Sequence, residues 1–152
     1  MMKSVGLVLL LTAAFANSGV EGHSIANACA AALSRKVTDE INMGDPLYAC
    51  MSTPAWSAVA RVSGCENSNF AYGPPKCQVL AAPFMKCVAG KSGYLNADGS
   101  INNTKILAQF KTWATSDPKC NITQYDFAVK KCGTTINNYA ILPKAYCIVQ
   151  EV

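Results

Sequence analysis

Histidine is almost absent: the 152 residues contain one, His23. It lies near the start of the chain, where ordering is least, so a Ser-His-Asp or Cys-His arrangement would have to be built on a terminal residue. Glutamate is nearly as scarce. Beyond residue 22 only Glu40, Glu66 and Glu151 could serve as the proton donor of a carboxylate pair, and the chain is expected not to be an enzyme. Cysteine pairs at the close spacing of zinc sites are missing, the nearest two being Cys77 and Cys87. A calcium loop fails as well, because aligning one on Gly99 puts Tyr94 at its first ligand position and Lys105 at its last. No metal and no cofactor is expected. The net charge of +4 comes from dispersed residues, with Arg35-Lys36 and Lys130-Lys131 as the only basic doublets. No stripe tracks phosphates, and nucleic acid is not an expected partner.

What the chain does have is a hydrophobic leader followed by eight cysteines. Residues 1–22 read as a signal peptide, with Lys3 as the positive start, Val5 to Ala16 as the apolar stretch, and Val20-Glu21-Gly22 as the cleavage pattern. Ala16 and Gly19 are alternative cleavage points. The apolar stretch is too short to span a bilayer, so residues 23–152 are expected to form one secreted, extracellular domain. In an oxidising compartment Cys29, Cys50, Cys65, Cys77, Cys87, Cys120, Cys132 and Cys147 read as four disulfides, for which 105 pairings exist in principle. Asn102-Asn103-Thr104 and Asn121-Ile122-Thr123 are glycosylation sequons.

Helix start and stop signals recur, and no strand-like alternation of useful length competes with them. The chain reads as all-α. Ser24 caps a first helix with Ile25, Cys29, Leu33, Val37 and Ile41 on one face and Gly44 at its end. Asp45-Pro46 and Thr53-Pro54 each open a short helix, the second running through Trp56, Val59 and Val62 to Gly64. Asn67 to Pro75 reads as a loop. Lys76 to about Gly90 is helical, with Pro83 expected to kink or split it. Cys77 and Cys87 on such a helix would be about 15 Å apart and unable to bond each other. After a turn at Asn96-Ala97-Asp98-Gly99, Ser100 or Asn102 starts the clearest helix, with Ile106, Leu107, Phe110, Trp113 and Ala114 at helical spacing. Thr123 to Cys132 follows and stops at Gly133. Pro143 begins a last short helix with Tyr146 and Cys147.

Phe84-Met85-Lys86-Cys87 followed by Gly93-Tyr94-Leu95-Asn96-Ala97-Asp98-Gly99-Ser100-Ile101-Asn102 resembles the central stretch of the insect odorant-binding and pheromone-binding proteins. The spacings from Cys87 to Cys120 and to Cys132 are similar to those of that family's third, fourth and fifth cysteines, and Cys50 to Cys77 is similar to its first-to-second spacing. The resemblance covers roughly residues 50–147. It departs at the second cysteine, where the family's place holds Pro83 and Cys77 lies further back. Cys29 and Cys65 stand outside the six-cysteine plan, so the kinship implied is with divergent or extra-cysteine branches.

The resemblance implies a compact, disulfide-braced bundle of about six helices around an apolar cavity that carries small hydrophobic molecules without chemistry. A membrane receptor would be a further partner. Trp56, Phe84, Met85, Leu107, Phe110, Trp113, Phe127, Tyr139 and Tyr146 are the candidate ligand wall, with tyrosine hydroxyls to orient a polar end. The same apolar stripes are what any bundle needs for its core. The family's pairing of first with third, second with fifth and fourth with sixth cysteine implies Cys50–Cys87, Cys77–Cys132 and Cys120–Cys147, leaving Cys29–Cys65. The alternative reading is a disulfide-stabilised extracellular interaction protein, an inhibitor or effector, without a small-molecule ligand.

Overall fold

A computed structural model describes residues 28–66 and 73–152. The leader, His23, Ser24, Ile25 and part of the expected 67–75 loop lie outside the described residues. The described chain is helical throughout. Its one extended pairing is a single antiparallel bridge between Leu95 and Ile101.

Helix α1 covers 28–37 and passes directly into a π-helical turn, Thr38–Asn42. The anticipated face is the buried one: Cys29, Leu33, Val37 and Ile41 are all at most 8% exposed. The π turn closes with the Met43 amide donating to the Thr38 carbonyl at 2.7 Å, which lets the chain widen by one residue while Ile41 stays in the core. Helices α2 (Asp45–Met51) and α3 (Pro54–Ala60) follow, each with proline in its first turn. There the missing proline N–H costs no intrahelical bond. Thr53 precedes α3 but does not cap it; its hydroxyl donates back to the Cys50 carbonyl at 2.6 Å. Helix α3 ends at Ala60, short of the expected Gly64.

Helix α4 (Pro75–Lys91) is the longest described, and Pro83 neither breaks nor splits it. Cys77, Ala81, Phe84, Met85, Val88 and Ala89 turn inward, whereas Val79, Leu80, Pro83 and Lys86 are exposed. Water therefore reaches the side of the helix where the proline ring removes a donor, and the orphaned carbonyl is solvated rather than buried. Helices α2 and α3 both pack on α4.

The 92–102 turn is locally determined. Gly99 takes the left-handed region at φ 82°, the Asn96 amide donates to the Ser100 carbonyl at 2.8 Å, and the Ser100 amide and hydroxyl both donate to Asp98. These donors hold the Asp98 carboxyl below its ordinary pKa. Asn102 then caps α5 (Asn103–Ala114) by accepting from the Lys105 amide at 2.9 Å. Asn121 caps α6 (Ile122–Cys132) in the same manner, and Gly133 ends it at φ 74°. The last helix, α7 (Ile141–Glu151), starts two residues before Pro143 and packs on α6. Its Lys144 ammonium reaches back to the Cys132 and Gly133 carbonyls at 2.5 and 2.9 Å, a cation on the negative end of α6. Phe84, Phe110, Ile106, Tyr125, Ile141 and Ile148 meet in the centre at no more than 1% exposure. Burying each large apolar side chain contributes about 1.5–3 kcal/mol.

All eight cysteines are bonded, as Cys29–Cys120, Cys50–Cys87, Cys65–Cys77 and Cys132–Cys147. Only Cys50–Cys87 agrees with the pairing implied by the family resemblance; Cys77–Cys132, Cys120–Cys147 and Cys29–Cys65 are overturned. Cys77 sits in the first turn of α4, three turns from Cys87, where the Cys65 loop lies against it with a Cα separation of 5.3 Å. That consumes Cys65, so Cys29 on α1 takes Cys120 at the entry to α6, 4.5 Å away. Cys132 is left to its packing neighbour α7.

Loop-closure entropy ranks these bonds. Cys29–Cys120 spans 91 residues and Cys65–Cys77 spans 12, so removing them should cost about 4–5 and about 3 kcal/mol respectively. We expect paired Cys→Ser replacements to follow this order in urea denaturation at equal m-value. The reverse order would mean that residual structure in the unfolded chain, not loop length, sets their contributions.

Candidate functional site

A depression of about 570 Å³ opens where the π turn, the 92–102 turn and α5 come together. Its residues come from three places. The π turn and the link into α2 supply Asp39, Glu40, Ile41, Gly44 and Asp45, the end of α4 and its following turn supply Ser92 and Tyr94, and α5 supplies Gln109 and Trp113. Ile41 and Tyr94 are buried at 1% and 7% exposure, whereas Asp39, Glu40 and Asp45 are exposed. The result is an open, mainly polar depression with an acidic rim, in which Ile41, Tyr94 and Trp113 form the apolar and aromatic part.

The π turn is what places the carboxylates. By widening the helix it keeps Ile41 inward while Asp39 and Glu40 remain on the open side. Gly44 then lets α2 start immediately. Its backbone is extended, at φ −84° and ψ 166°, so no left-handed conformation is involved. A Cβ there would instead overlap the Glu40 carbonyl oxygen. Sequence reasoning picked out Gly44 as a helix stop; its actual role is to permit this close approach.

Trp113 is half-buried and anchored on Phe110, with ring centroids 6.0 Å apart. Beside it, the Tyr94 hydroxyl makes no hydrogen bond to the described residues, and its oxygen still reaches solvent. Burial raises its pKa, and the negative charge of Glu40 raises it further, so the phenol stays protonated and able both to donate and to accept. Ser92 adds a buried hydroxyl oxygen that also lacks a partner. Glu40 pairs with Lys36 at 3.8 Å on the surface, whereas Asp39 and Asp45 make no ion pair with a described residue. Among the described residues no three acidic, histidine or cysteine side chains converge closely enough to hold a metal ion.

The nine sequence-derived wall residues do not gather on one surface. Trp113 lines the depression. Phe84, Met85 and Phe110 are buried in the core, Leu107 packs against it, and Trp56 leans on Phe84 with centroids 5.0 Å apart. Tyr139, in the left-handed region at φ 55°, donates its hydroxyl to the Gly99 carbonyl at 3.0 Å and lies under the Lys86 ammonium. Tyr146 is 43% exposed in a crease between α1 and α7, and Phe127 is 64% exposed beside Val152. Helical spacing places these side chains on inward stripes, but which stripe closes a core and which borders open space depends on long-range packing. Sequence reasoning missed Asp39, Glu40, Asp45, Ser92, Tyr94 and Gln109. One signal was available: three of only nine acidic residues fall within positions 39–45.

Against family models, curated proteins and solved structures, the chain has no match. Four disulfides within one chain are typical of extracellular proteins. No described helix is long and apolar enough to cross a membrane.

Replacing Gly44 with alanine forces the π turn and α2 apart. A loss of roughly 1–3 kcal/mol is expected from such overpacking, measured as a lower melting temperature, together with altered near-ultraviolet signals from Tyr94 and Trp113. Unchanged stability would show that the Glu40 carbonyl yields freely.

Proposed function

We propose that this protein is a secreted, non-catalytic carrier of small molecules with a substantial hydrophobic body, of the kind the resemblance to odorant-binding proteins implies. The observation that carries the reading is the depression beside Trp113. Its volume of about 570 Å³ falls within the range of small-molecule sites, roughly 300–1,000 Å³. Ser92, on its lining, keeps a buried hydroxyl oxygen without a protein partner, and a bound molecule would supply that partner. The disulfides support the reading by holding the elements around the depression without calling on further core volume. Its work is to bind, shield and release, with a membrane receptor as the destination of the ligand.

A second reading, an extracellular interaction protein without a small-molecule ligand, is favoured by Phe127 and Ile122, which are 64% and 48% exposed on α6.

Titrating the oxidised, ligand-stripped protein with aryl and medium-chain alcohols decides between them. Saturable changes in tryptophan fluorescence are expected, with affinities on the order of micromolar, since each buried methylene contributes about 0.8 kcal/mol before binding costs. Trp113→Ala should weaken binding at least tenfold, whereas Trp56→Phe should leave it within about twofold. No saturable binding across the panel overturns the carrier reading in favour of the interaction protein.

A further inference from the structure

We propose that the depression selects small organic cations, an ammonium group joined to an aromatic or compact apolar body, over neutral molecules of the same shape. The inference rests on the carrier reading and names its ligand class. The ammonium would sit between Asp39 and Asp45, the apolar body would lie against Trp113 and Ile41, and the Tyr94 hydroxyl would accept a hydrogen bond from the cation.

Three observations converge on this chemistry. The first is charge: a chain of net charge +4 places three of its nine carboxylates on one depression. Among the basic residues nearby, Lys36 is engaged by Glu40 at 3.8 Å and Lys105 donates to the Gly93 carbonyl at 2.8 Å. Neither lines the depression, and Asp39 and Asp45 have no counter-ion among the described residues. The second is the Ser92 hydroxyl oxygen, buried without a hydrogen-bond partner on the same lining, with the Tyr94 hydroxyl, unbonded to any described residue and within reach of Glu40's charge, lining the same depression. Buried polar groups are paired in native proteins, so such a group marks a position for a ligand atom. The third is Trp113, a half-buried indole on the same wall, and an indole face is the strongest aromatic partner for a cation.

The spacing of the carboxylates argues against a metal ion. A divalent cation needs several oxygens drawn around one point, and no such group exists among the described residues. A dispersed acidic rim over an aromatic wall suits a larger, diffuse cation.

The test uses the full mature chain with disulfides intact and two probes of matched shape, 2-phenylethylamine and 2-phenylethanol, titrated calorimetrically at pH 7. The amine should bind about tenfold more tightly than the alcohol, an advantage expected for a charge facing partly solvated carboxylates. Raising the salt concentration should erode the amine's advantage and leave the alcohol unchanged. The exposed pair Asp39→Asn and Asp45→Asn, verified as folded by circular dichroism, should bring the two probes within about twofold, and Tyr94→Phe should weaken the amine severalfold. Equal binding of amine and alcohol by the unmodified protein, or a preference that survives the double replacement, overturns the cation inference and leaves the carrier reading standing. Binding of neither probe overturns both.

Discussion

Helix α4 is covalently held near both ends, and the remaining architecture is arranged around that constraint. At its start Cys77 is bonded to Cys65, and near its end Cys87 is bonded to Cys50. The segment between Cys50 and Cys65, with α3 inside it, is thereby closed onto a single rod. Its inward face carries Phe84, Met85 and Val88 into the centre. A helix so fastened can carry Pro83 without breaking, because its alignment does not depend on one hydrogen bond.

The second half of the molecule is organised differently. Helices α5 and α6 begin at asparagine caps, and their junctions are strengthened by side chains reaching between elements: Asn103 accepts from the Ile136 amide at 2.8 Å, Lys111 pairs with Asp126 at 2.9 Å, and Lys144 holds the end of α6. Cys29–Cys120 joins this half to α1. The depression lies between the halves, and its acidic rim belongs to one and its aromatic side to the other. Such an arrangement can separate the recognition of charge from the recognition of shape.

Much of the fold was legible because it is written in local chemistry. Asn102 (one of two candidate starts, with Ser100), Gly133 and the Asp45-Pro46 pair act within a few residues of themselves, and each marks a helix boundary observed in the structure. Asn121 reads in the sequence only as part of a sequon, with the helix start placed at Thr123, although it is the cap of α6. The buried stripe Cys29, Leu33, Val37, Ile41 was likewise readable from its period, although the widening at residue 38 was not. A π turn depends on what the helix must reach next, here the tight entry to α2 at Gly44. Cysteine pairing was mostly illegible for the same physical reason. Which thiol meets Cys120 is decided by the docking of α1, not by anything near Cys120 in the chain. The candidate site was hidden by the emphasis on apolar side chains: Trp113 was foreseen, but the polar residues that distinguish its surroundings draw their meaning from the meeting of three distant segments.

The bond from Cys29 to Cys120 turns 91 steps of sequence into a covalent ring, with the Cys50–Cys87 and Cys65–Cys77 closures nested inside it. A single peptide bond cut anywhere in that ring opens it without releasing a fragment. Cuts between Cys65 and Cys77 leave the new ends tethered through the smallest closure as well. A single protease cut would therefore convert the protein into a two-chain molecule that stays joined until reduced. Its apparent mass would be conserved under non-reducing conditions, and the nick would become visible only when the thiols are freed.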